Sequence, residues 1–157
     1  MREFAMFRVT VGAAAAALAV GTAVAPAAGA DMAFGNYEVL SNRWTDASWV
    51  WAAYPCETPG TFDQMPAGCV TVSAVDRPHF FGRAYYGGTA RLVNGQYSFT
   101  TDVADGLHCP MGPYLPTRDT YTWDANTLSG VVESRFEVGC FNAPPGTNTW
   151  TFALVRM

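Results

Sequence analysis

The sequence predicts an all-β protein, a small antiparallel up-and-down β-barrel, with a β-sandwich as the alternative. Beyond Asp31, apolar residues recur with a period of two and hardly at all with the period of a helix. Gly, Pro and Asn divide the chain into about nine short extended segments. These segments follow one another in hairpin order, and closing the first on the last removes the unpaired edges an open sheet would present.

The first four segments are Tyr37 to Leu40, Ser48 to Tyr54, Cys69 to Val75 and Phe80 to Tyr86. In the second, Trp49 and Trp51 point one way and Val50 the other. The clearest hairpin is TARLVNGQYSFT, Thr89 to Thr100, because Asn94-Gly95 supplies the positive φ angles of a two-residue type I′ turn. Pairing outward from that turn sets Val93 against Gln96, Leu92 against Tyr97, Arg91 against Ser98 and Ala90 against Phe99. Ala90, Leu92, Tyr97 and Phe99 then share an apolar face. A second hairpin turns at Asp124-Ala125-Asn126-Thr127, with Tyr121, Trp123, Leu128, Val132, Phe136 and Val138 on one face and Glu133, Arg135 and Glu137 on the other. The last strand alternates Trp150, Phe152 and Leu154 against Thr149, Thr151 and Ala153. ETPGTFDQMPAG, DGLHCPMGPYLPTRD and GCFNAPPGTN read as loops at the barrel ends.

Residues 1–30 read as a secretory signal. Arg2 and Arg8 form a positive start, Val11 to Ala25 an apolar run, and Ala28-Gly29-Ala30 a small-x-small cleavage site that places the mature N-terminus at Asp31. The apolar run is mostly Ala and too short for a span, so no stable membrane segment is expected after cleavage. Residues 31–157 suit one domain. Removing Arg2, Arg8 and Glu3 takes the formal net charge from −4 to −5, and the chain has no Lys. Nucleic acid and anionic membranes, which demand basic patches, are poor partners for such a surface.

Cys56, Cys69, Cys109 and Cys140 all lie in the exported part, and an even count in an oxidising compartment reads as two disulfides. Three pairings are possible. Local closure favours Cys56 with Cys69 and Cys109 with Cys140, each flanking connections between strands. His108-Cys109 is the nearest approach to a zinc motif, and without paired ligand spacing no metal site is assigned.

Chemistry is sparse. His79 and His108 stand in no nucleophile motif, and there is no GxSxG, no HExxH and no phosphate loop. Asp102 with Asp105 and Asp119 with Asp124 are the available carboxylate pairs, each in a turn-rich setting where Asp ordinarily bends or caps the backbone. No catalytic residue and no cofactor is assigned. The five Trp are the richest resource. Pointing inward they fill the core at about 2 to 3 kcal/mol each. An eight-stranded barrel is also just wide enough to hold one small ligand, and Trp49, Trp51, Trp123, Trp150 and Tyr97 are the candidate lining.

SNRWTDASWVWAAYPC, GCVTV, LVNGQYSF, DTYTWDANTLSG and GCFNAPPGTNTWTFAL together span nearly all of the exported part. In these blocks the chain resembles a family of small secreted proteins of mycobacteria and related actinobacteria. That resemblance implies export and an extracellular or cell-envelope setting, and carries over no catalytic residue. The strand pattern is similar in outline to calycin-like and avidin-like barrels, a likeness of fold that does not transfer function. The expected function is that of an exported non-enzymatic barrel binding either a small apolar or amphipathic molecule or an envelope or host partner. A structural or surface-exposed envelope protein is the second expectation and a hydrolase the third.

Overall fold

A computed structural model describes residues 31–43, 49–56, 66–77 and 85–157. The expected signal segment, Trp44, His79 and most of the Phe80 to Tyr86 segment lie outside the described residues.

Eight antiparallel strands close into one barrel in chain order: β1 (Gly35–Ser41), β2 (Trp49–Pro55), β3 (Cys69–Asp76), β4 (Tyr86–Val93), β5 (Gln96–His108), β6 (Tyr114–Asp124), β7 (Ser129–Phe136) and β8 (Gly146–Arg156). Every strand pairs with its sequence neighbours, and β1 pairs with β8 from Tyr37 opposite Arg156 to Ser41 opposite Phe152. The Asn94-Gly95 turn has φ of 53° and 80°, and its strands pair Val93 with Gln96, Leu92 with Tyr97 and Arg91 with Ser98, the register read from the sequence. In the second hairpin the Asp124 Oδ1 accepts hydrogen bonds from the backbone N–H groups of Asn126 and Thr127, so this Asp bends the chain. Those bonds, first from Thr127 and then from Asn126, hold its pKa below the ordinary carboxylate value.

The expectation differs from the fold at three places. The described residues hold eight strands where about nine segments were counted, and Tyr86, the end of the fourth segment, opens β4. DGLHCPMGPYLPTRD is strand over most of its length, with Leu107 opposite Leu115 and His108 opposite Tyr114. Only Cys109 to Pro113 turns the chain. Val138 does not continue the apolar face, because β7 stops at Phe136 and Val138 is exposed.

Rings fill the interior. Trp51 has no exposed surface and touches Phe99, Tyr121, Trp123 and Phe152 at centroid distances of 5.7, 5.3, 5.4 and 5.4 Å. Its indole N–H donates to the Tyr86 hydroxyl at 3.0 Å. Tyr97 stacks on Trp123, and Phe99 on Tyr121. With so little Leu and Ile available, such inclined and stacked pairs add to the area they bury. Val50, on the opposite face of β2, is buried as well, outside this cluster.

The disulfides are Cys56–Cys69 and Cys109–Cys140, one at each end of the barrel. Loop-closure entropy assigns them roughly 3 and 3.7 kcal/mol. At the Cys56–Cys69 end the chain before β1 plugs the opening. Met32 is buried there, its N–H donating to the Tyr97 hydroxyl at 3.2 Å, and the Tyr37 hydroxyl donates to the Ala33 carbonyl at 2.6 Å. Among the described residues no helix is long and apolar enough to cross a membrane.

Candidate functional site

Closure at one end leaves the other to be explained. There a cavity of about 800 Å³ opens between the C-terminal halves of β1, β3 and β5 and the N-terminal halves of β2, β4 and β6. Val39, Trp49, Tyr86, Val103, Tyr121 and Phe152 give its apolar wall. Arg43, Asp76, Tyr85, Asp105, His108 and Tyr114 bring polar groups to its rim.

Beneath the wall lies a charged group with no exposed surface. Counting back by twos from Trp123 and Tyr121 along β6 reaches Asp119 and Thr117, so strand geometry points both into the barrel. An ionised carboxylate there requires compensation. The Thr117 hydroxyl donates to Asp119 Oδ1 at 2.6 Å, Arg43 Nη1 to Oδ2 at 2.6 Å and the Tyr121 hydroxyl to Oδ2 at 3.5 Å. Arg43, just beyond the end of β1, is nearly buried, and its Nη2 donates to the Gly106 carbonyl. Burial opposes the charge of Arg43, but the field of Asp119 and the hydrogen bond to it prevail and raise its pKa above the ordinary value.

A bulge makes that contact possible. Between the pairs Val103–Thr117 and Leu107–Leu115, β5 carries three residues and β6 one, so Ala104 to Gly106 are displaced from the ladder. Gly106 is required there, because a Cβ would overlap Thr117 Oγ1 and crowd the Arg43 guanidinium. Asp105, in the same bulge, is exposed at the rim.

Three rings meet above. Trp49 lies 5.1 Å from Tyr85 at 43° and 5.4 Å from Tyr86 at 57°, and Tyr85 lies 6.5 Å from Tyr86 at 83°. Burial, with the hydrogen bonding and negative field of Asp105, pushes the Tyr85 pKa up to about 12. Burial also raises Tyr86, against the hydrogen bonds of Tyr121 and Trp51, and sets Tyr121 well above the usual phenol range.

The candidate lining of the sequence divides between this cavity and the core. Trp49 lines the cavity. Trp51, Trp123 and Tyr97 are packed in the core, and Trp150 lies half-buried against it. The indole nitrogens of Trp123 and Trp150 and the Ser134 hydroxyl are buried without a hydrogen-bond partner among the described residues. The carboxylate pairs separate: Asp102 is exposed beside Arg118 while Asp105 lines the rim, and Asp119 lies inside while Asp124 ends the same strand at the opposite rim. Among the described residues no group of three or more His, Cys, Asp or Glu is gathered to hold a metal ion.

Arg43, Tyr85, Tyr86, Asp105, Gly106 and Asp119 were not anticipated as a set. Asp119 had a signal, being a charge in phase with two inward rings. Arg43 had none, since it lies beyond the strand and reaches its partner only through closure of the barrel. Compared with protein-family models, curated proteins and solved structures, the chain finds no match.

Proposed function

We propose that this protein is an exported, non-enzymatic barrel that binds one small amphipathic molecule in the cavity at the end opposite the Met32 plug. The observation that carries the reading is the cavity itself. Its volume of about 800 Å³ falls within the range of small-molecule sites, its wall is apolar and aromatic, and a few polar groups converge on its rim. At the opposite end Met32 is buried, with its N–H on the Tyr97 hydroxyl. The signal-like residues 1–30, the pairing of all four cysteines and the resemblance to small secreted actinobacterial proteins support export.

Trp49 reports occupancy. Titrating residues 31–157 with alkyl amphiphiles below their micelle concentrations is expected to shift indole fluorescence saturably, and Trp49→Ala to weaken binding by about tenfold, the effect of losing one aromatic contact. Tyr97→Phe, at the plugged end, is expected to bind as the parent does. The absence of any saturable shift, or unchanged affinity in Trp49→Ala, overturns the reading.

One observation favours a surface contact with an envelope component as a second reading. Met111 and Phe141 are largely or fully exposed, both at positive φ, on loops joined by Cys109–Cys140. Under that reading Met111→Ser with Phe141→Ser releases the protein from an envelope fraction, whereas Trp49→Ala does not.

A further inference from the structure

The charges and rings around the cavity select among the amphipathic molecules it could take, an inference that rests on the binding reading above. We propose that the occupant is an organic cation, an ammonium or guanidinium group on an apolar body, held with its charge at Asp105 and against the Trp49–Tyr85–Tyr86 rings.

An anion has little to bind. Arg43 is the only Arg or Lys among the described lining residues, and it already donates to Asp119 at 2.6 Å and to the Gly106 carbonyl. To take Arg43, an incoming anion would have to displace a carboxylate that has no exposed surface and leave its charge without its main partner. Asp119 therefore offsets the charge that Arg43 brings to the cavity.

A cation meets the opposite conditions. Asp105 is exposed at the rim, and the bulge of β5 that carries it also fixes the Arg43–Asp119 pair below. Trp49, Tyr85 and Tyr86, inclined to one another at 43°, 57° and 83°, all line the cavity, and the face of an aromatic ring carries the negative side of its quadrupole. The Tyr85 pKa, pushed up to about 12 by burial and by Asp105, keeps that phenol neutral at ordinary pH and leaves Asp105 as the charge beside the ring. At longer range the chain has a formal net charge of −4 and no Lys, which draws cations toward the protein and repels anions.

The test compares three probes of one chain length, octyltrimethylammonium, octyl sulfate and octyl glucoside, each titrated calorimetrically into residues 31–157. The trimethylammonium is expected to bind about tenfold more tightly than either of the others, the increment of one cation–π contact with a nearby carboxylate. Its affinity is expected to fall with added salt. Asp105→Asn, at an exposed position, is expected to weaken the cation by about threefold more than it changes octyl glucoside. Salt dependence in the parent provides the same information should that variant fold poorly. Equal or tighter binding of the sulfate or the glucoside overturns the cation assignment and leaves the binding reading standing. Failure of all three probes overturns both.

Discussion

Asp119 gives the interior its strongest constraint at the scale of single residues. A carboxylate without exposed surface is tolerated because Arg43, Thr117 and Tyr121 all donate to it. Removing one partner leaves the charge and removes its compensation. Arg43→Met is therefore expected to cost about 3 to 5 kcal/mol in urea denaturation, while Arg43→Met with Asp119→Leu costs markedly less than the sum of the two single changes. Additivity would show that the pair is not coupled. Half of this arrangement was legible in the sequence. The alternation that carries Tyr121 and Trp123 inward carries Asp119 inward too, but no local pattern says which cation answers it. Arg43 lies 76 positions away, and only the closed ring brings the two together.

Among the elements, the β4–β5 hairpin shows how completely two residues can set a register. Asn94 and Gly95 both adopt positive φ, and nothing approaches the space a Cβ on Gly95 would fill. Gly95→Ala consequently bears only the backbone cost of the left-handed conformation, about 1 to 2 kcal/mol, with the barrel retained in far-ultraviolet circular dichroism. A larger loss, or a change in that spectrum, would mean that the turn does more than join two strands. Such hairpins were readable because the turn chemistry lies within the turn. The far end of β5 and the start of β6 were not, since Pro110, Pro113 and Pro116 imitate a loop. Pro116 nevertheless sits within β6, at the position facing the bulge of Ala104 to Gly106, where the ladder asks no donor of it. The missed bulge took with it Asp105 and the Gly106 carbonyl, and so most of the candidate site.

For the molecule as a whole, the phenols set a limit in alkali. Burial raises the pKa values of Tyr86, Tyr97 and Tyr121, and Tyr85 reaches about 12. The unfolded chain releases these protons near pH 10. Above that value the unfolded state binds fewer protons than the native one, so stability is complete below about pH 10 and falls as pH rises toward 12. Urea midpoints measured across this window are expected to decline steadily, with the Tyr86 and Tyr121 phenolates appearing only on unfolding. A flat profile would place the hydroxyls in water. Architecture and both disulfides followed from alternation and spacing, because a meander writes its topology in chain order. The cavity did not, since it depends on which inward positions the rings leave unfilled.

One join in the ring is unlike the other seven. β1 meets β8 across almost the entire described chain, while every other pairing links consecutive strands. A chain that paired its strands as they emerged would therefore remain an open ribbon with two bare flanks until the residues after Gly146 arrived, and each flank would be a template for a neighbouring molecule. A protein built this way has reason to be kept extended until it is whole, and to seal itself in a single late step.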